Sequence, residues 1–209
     1  MYNNTDQSVG IIIMQKRSKA TRSQILQAAR MLFARSGYDA SGVAEICAEA
    51  GVSKGAFYHH FRSKQALFLA ILEEWLGSVD KQMRGFRFGA KDVPQSLREM
   101  ASMMSLVFQA ADGQLPMFLE FWTQASRDEK VWRATIAPYR RFHQQFTDLV
   151  REGIDEGSLK AVDAETTAWV ILSMAVGILL QGLLAPQGED WDKVTRRGMD
   201  ILLNGLKKE

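Results

Sequence analysis

Only Gly51 and Val52 separate the end of one amphipathic segment, 41–50, from Ser53, a residue able to open the next. Glycine adopts the left-handed conformation that stops a helix, and a serine hydroxyl accepts from the free N–H groups that start one. Two short helices joined through so tight a turn cross steeply, and their contact needs small side chains. Cys47, Ala50 and Ala56 supply them. The pattern predicts a helix-turn-helix, with a second helix over 54–61.

The flanking sequence continues in the same idiom. Thr21 and Gln24 have the spacing of a capping box and predict a helix start at Thr21, with Ile25, Leu26, Ala29, Leu32 and Phe33 facing inward and Gly37 closing the helix. Ser41 is expected to cap the next helix, which turns Val43, Ile46, Cys47 and Ala50 inward, and Ser63 to cap a fourth over 64–79. A loop is expected near 84–93. Further helices are expected over 94–110, 116–126, 128–156, 164–184 and 191–206. The fold class is therefore all-α with nine helices, divided into a disordered leader at 1–18, a helix-turn-helix domain at 19–64 and a larger helical domain at 65–209.

Composition narrows the setting. The one cysteine, Cys47, leaves no internal disulfide and no paired-cysteine zinc site, and suits a reducing compartment. The apolar run at 11–14 is too short for a secretion signal and precedes its basic residues, so the expected location is the cytoplasm. Met14 directly precedes the basic stretch from Lys16 to Lys19, which makes residues 1–13 either a leader or sequence ahead of a later start. The longest apolar run, 168–180, falls short of the ~20 residues a bilayer crossing needs, and is read as a buried helix rather than a membrane span. Residues 1–64 hold nine Lys or Arg against four Asp or Glu, a net +5, whereas the whole chain is only +2. A basic N-terminal portion suits a module that faces phosphates.

The helix at 54–61 has the chemistry for DNA. The second helix of such a motif enters the major groove with its N-terminal residues against base edges. Lys54 can donate to guanine or phosphate, Gly55 and Ala56 permit close approach, and Ala56 can meet a thymine methyl. Ser53, Tyr58 and His59 offer donors to phosphate oxygens, while Phe57 and Phe61 turn to the core. Lys64, at the start of the fourth helix, is expected to clamp a phosphate. The neighbouring His59 and His60 point apart on a helix and do not make a metal pair.

The run Ala44-Glu45-Ile46-Cys47-Ala48-Glu49-Ala50-Gly51-Val52-Ser53-Lys54-Gly55-Ala56-Phe57-Tyr58-His59-His60-Phe61-Arg62-Ser63-Lys64-Gln65-Ala66-Leu67 closely resembles the DNA-binding signature of the tetracycline-repressor (TetR) family. The resemblance covers about residues 20–70. It implies a nine-helix dimer whose first three helices bind DNA and whose remaining six regulate and dimerise. It also implies base contacts from Lys54, Gly55 and Ala56, with phosphate contacts from Ser53, Tyr58, His59 and Lys64. Ser41-Gly42 stands where many members resemble Thr-Thr; Ser41 keeps a hydroxyl and is counted among the DNA-binding residues. Leu119-Glu120-Phe121-Trp122, Tyr139-Arg140-Arg141 and Gly153-Ile154-Asp155-Glu156-Gly157 are similar to the C-terminal body of BetI-like members.

Aromatic and methionine residues crowd the middle of the chain. Such stripes usually fill a core, but the resemblance implies an effector cavity. Met104, Phe108, Phe118, Phe121, Trp122, Tyr139, Phe142 and His143 are its expected lining, with Gln109 and Gln124 as further polar handles, for a small, largely apolar effector. Ser173, Gly177 and Gln181 recur every four residues beside larger apolar ones. With Ile201, Leu202 and Gly205 they predict a homodimer through helices near 164–184 and 191–206. No cofactor, metal site or enzymatic constellation is expected. The expected function is a dimeric repressor released from a pseudo-palindromic operator by its effector. The alternative is a DNA-binding factor controlled by a protein partner or by no small molecule.

Overall fold

The computed structural model describes residues 4–103, 119, 123, 129–185 and 187–206. Among them the regular elements are eight helices: α1 (Asn4–Ser36), α2 (Val43–Ala50), α3 (Lys54–His60), α4 (Lys64–Gly89), α5 (Val93–Ser102), α6 (Glu129–Asp155), α7 (Ala164–Leu184) and α8 (Trp191–Leu206). The all-α class holds. Of the further helix expected at 116–126 only Leu119 and Thr123 are described, both helical, with the Thr123 hydroxyl donating to the Leu119 carbonyl at 3.0 Å; Met104, Phe108, Gln109, Phe118, Phe121, Trp122 and Gln124 lie outside the described residues.

Two compact units make up the chain. The first holds α1 to α3 and the start of α4 through Leu72. Its core is the expected inward face of α1, with Ile25, Leu26, Ala29, Leu32 and Phe33 buried, packed with Ile46, Phe57, Leu67 and Phe68. Full burial of each such side chain contributes roughly 1.5–3 kcal/mol. Tyr38, also buried, lies between Phe33 and Phe68, with ring centroids 5.3 Å from each. Gly37 (φ +82°) and Gly51 (φ +64°) end α1 and α2 in the left-handed conformation, as their positions predict.

Three local expectations are corrected here. Thr21 does not open α1: its hydroxyl donates to the Arg17 carbonyl at 3.0 Å, and helical backbone runs back to Asn4 through the segment expected to be a disordered leader. Once the packed turns beyond Ile25 exist, the helix extends N-terminally without a new nucleation cost, and no proline interrupts it. Ser41 does not cap α2. Gly42 is the cap residue, its N–H donating to the Glu45 carboxylate at 2.8 Å, while Ser41 donates inward to the Gly37 carbonyl at 2.8 Å. Finally, α4 runs on to Gly89, through most of the expected loop. A helix tolerates Gly85 at about 1 kcal/mol, and Met83 and Phe86 pack into the second core.

The second unit holds the rest of α4 and the helices that follow. Asp92 caps α5, accepting from the Gln95 N–H at 2.8 Å. Val93, Leu97, Phe142, Phe146, Val150, Ile171, Met199 and Leu203 form a core to which α4, α5, α6, α7 and α8 all contribute. Gly157, in the left-handed conformation (φ +79°), follows the end of α6. At Gly153 a Cβ would stand 2.6 Å from Leu159 Cδ1 and 3.1 Å from Val93 Cβ, so a side chain in this turn of α6 would force the buried Leu159 to shift. α7 is long and apolar enough to cross a membrane by length and composition, yet Thr167, Ala168, Ile171, Leu172, Ile178 and Gly182 are buried within the unit.

Candidate DNA-binding site

The site is built on α3. Ser53 caps it, its hydroxyl oxygen accepting from the Ala56 N–H at 3.1 Å and keeping its own O–H to donate. Phe57 is fully buried and Phe61 nearly so, their rings 6.0 Å apart, and together they anchor the helix to its unit. This anchoring leaves Ser53, Lys54, Gly55, Tyr58 and His59 exposed on the outer side, with Ala56 half-buried. Tyr58 is 54% exposed although it lies edge-on to the Phe57 ring. The arrangement presents a short cationic head, a bare backbone turn and two ring donors in succession.

Two of the residues expected to contact DNA have partners inside the unit. Lys64 Nζ donates to the carbonyls of Tyr38, at 2.8 Å, and Asp39, at 3.3 Å, and lies 4.3 Å from the centre of the Tyr38 ring. It ties α4 to the turn after α1 with two of its three N–H groups. Ser41 is 1% exposed, so its side chain is withdrawn from any ligand. Both placements have one physical cause: uncapped carbonyls at and after Gly37 need donors, and the nearest lysine and hydroxyl supply them.

Arg22, not singled out by sequence, lies with Cζ 5.3 Å from the centre of the Phe61 ring. Its charge also reaches His60, whose imidazole is held below the usual histidine range, first by burial, then by repulsion from His59 and Arg22. Cys47 is buried, as its small-residue role requires. No group of His, Cys, Asp and Glu that could hold a metal occurs among the described residues.

In the second unit, Tyr139, Phe142 and His143 of the expected effector lining are described. Phe142 is a buried core residue. His143 stacks on Trp169 of α7, with ring centroids 3.8 Å apart and planes at 23°, and its Nε2–H donates to the Glu165 carbonyl at 3.1 Å. Tyr139 joins them, 5.7 Å from Trp169.

Residues 25–71 match the model of the bacterial regulatory proteins of the tetR family, and residues 95–204 match the C-terminal region of BetI-type transcriptional repressors. The chain belongs to the TetR family. Within it, the BetI regulator of Vibrio parahaemolyticus is 30% identical over 174 residues, covering 82% of this chain and 85% of that protein. The regulator UidR of Escherichia coli K12 is 27% identical over 171 residues, 79% of this chain and 83% of its own length. Solved structures share the fold. A regulator of Saccharomonospora viridis in complex with choline superposes with a TM-score of 0.76 at 21% identity, covering 90% of this chain and 98% of that one. A TetR regulator of Haloarcula marismortui gives 0.78 at 19% identity over 90% and 98%. As a TetR-family member, the protein is a DNA-binding transcriptional regulator and not an enzyme.

Proposed function

We propose that this TetR-family protein is a cytoplasmic homodimeric repressor that reads a pseudo-palindromic operator with α3 and leaves it when a small effector binds the second unit. The observation that carries the reading is the exposed face of α3, where Ser53, Lys54, Gly55, Tyr58 and His59 stand outward over the buried Phe57. In the groove Lys54 reads base edges with Gly55 and Ala56 beside it, while Ser53, Tyr58 and His59 hold phosphates.

Dimerisation is supported by the outer side of α7 and α8. Trp169, Val170, Leu180 and Leu184 of α7 and Ile201 of α8 are exposed, with Ser173 and Gly177 between them allowing close approach. A two-fold copy of both helices would form a four-helix bundle and space two α3 helices by one DNA turn, ~34–36 Å.

For the effector, Tyr139 and His143 stand beside Trp169 and are proposed, with Phe142 and the sequence-assigned Met104, Phe108, Phe118, Phe121 and Trp122, to line its site. Choline in the Saccharomonospora viridis relative supports a small organic ligand. The switch runs through α4, a single helix from Lys64 to Gly89 whose distal end is held to α6, Arg87 Nε donating to Glu152 at 3.1 Å. An effector that displaces α6 draws on the helix that begins next to α3. DNA and effector then weaken each other by the same factor.

The test is a gel shift on the DNA upstream of its own and neighbouring genes at two salt concentrations, with effectors first sought by thermal shift. A specific band at low salt, lost on adding a ligand that raises the melting temperature, supports the reading. No specific band at either salt rejects it.

A further inference from the structure

We propose that α1 carries a second DNA-contacting element, in which Lys16, Arg17 and Lys19 grip phosphates flanking the site read by α3. The inference rests on the reading that α3 enters the major groove, and it extends the contact to a part of the chain that the helix-turn-helix does not use.

Three observations converge on it. Between Met14 and Tyr38 there are six Lys or Arg and no acid, so no neighbouring carboxylate in sequence neutralises the segment. Residues 14–20 are helical and exposed along their whole length, so their basic side chains are not taken up by the core. The placement follows from Arg22, whose guanidinium lies against Phe61 and whose charge reaches His60, at the C-terminal end of α3. At ~1.5 Å per residue, Lys19 and Lys16 stand ~4.5 and ~9 Å further along the same helix. Such a stretch spans about two to three phosphates of one DNA strand. Lys16 and Lys19, three apart, share a face, and Arg17 adjoins it. A basic strip on a helix packed beside the end of the recognition helix meets the backbone near the bases that helix reads, and holds it by charge without reading sequence.

Counterion release makes the proposal measurable, because each phosphate contact steepens the fall of log K with log salt by about 0.9. The probe is a fluorescently labelled mixed-sequence duplex of roughly 40 base pairs, titrated by anisotropy from about 50 to about 200 mM salt. The variant carrying Lys16→Gln, Arg17→Gln and Lys19→Gln is expected to show a slope shallower by about 2.7 per protomer, so that wild type loses ~40-fold more affinity per protomer across that range. A Lys16→Arg, Lys19→Arg variant keeps the wild-type slope.

An unchanged slope in the glutamine variant overturns this element and leaves the α3 reading intact. Loss of slope in the arginine variant also overturns it, since charge would not be the cause. Absence of DNA binding by the wild type at every salt concentration rejects both readings together.

Discussion

The ammonium of Lys64 bonds the Tyr38 carbonyl at 2.8 Å and rests 4.3 Å from the centre of the same residue's ring. One lysine thereby joins the start of α4 to the turn that follows α1. Lys64→Met is expected to lower stability by about 1–2 kcal/mol, as the loss of a charge-assisted bond and a half-exposed cation–π contact requires. Urea denaturation checks it. If Lys64 instead served only as a phosphate clamp, stability would be unchanged and the salt slope of DNA binding would fall by about 1.

Phe57 and Tyr58 are neighbours with opposite duties. Phe57→Ala removes a fully buried ring and is expected to cost roughly 3–5 kcal/mol, enough to unfold the first unit. Tyr58→Phe should leave the melting temperature in place and weaken binding to all DNA sequences alike. Lys54→Ala should relax base preference. Parallel melting curves and competition binding with specific and mixed-sequence duplexes separate the three.

Gly153→Ala places a methyl group against Leu159, in a turn of α6 that has no room for it. Overpacking of this kind costs about 1–3 kcal/mol. Thermal melting of the variant should show the loss, while Gly77→Ala, at an open helical position, should be neutral or slightly stabilising.

Acid should weaken the tie between α4 and α6. The hydrogen bond from Arg87, opposed by partial burial and aided by its charge, holds the Glu152 carboxyl below the usual glutamate range. The stabilisation is therefore complete above the unfolded glutamate pKa and disappears as pH falls through the lowered folded value. Because the pair is substantially exposed, its contribution is expected to be at most about 1 kcal/mol. Glu152→Gln should be slightly less stable than wild type at neutral pH, with the difference vanishing in acid, as urea melts over a pH series will show.

Ile201 is 75% exposed on α8, an unfavourable place for a large aliphatic side chain in a lone subunit. Under the proposed dimer, Ile201→Glu should convert the protein to monomers and lower operator affinity by at least tenfold, without lowering the melting temperature of the subunit at high dilution. Analytical ultracentrifugation reads the first effect directly. A monomeric wild type at the same concentration would reject the dimer.

Local chemistry in the sequence was enough to place α2, α3 and the glycine stops, because caps, left-handed glycines and apolar spacing act within one or two turns. Gly37, Gly51, Gly157 and the buried faces of α1 and α3 were legible for that reason. The outward set on α3 followed from the same periodicity, since burying Phe57 and Phe61 leaves only one face for Lys54, Tyr58 and His59.

What the sequence by itself determined was thus the helical class, the helix-turn-helix and the signature that marks the family. The tertiary structure alone decided where individual polar groups point and how far the helices run. Ser41 and Lys64 turn inward because carbonyls distant in sequence, or freed at a helix end, compete for their donors. Arg22 reaches the end of α3 only because α1 packs across it, and α4 outruns its expected end because Phe86 and Arg87 find partners on helices far along the chain. Such choices depend on which groups the fold brings within a few ångströms, and no local pattern contains that distance.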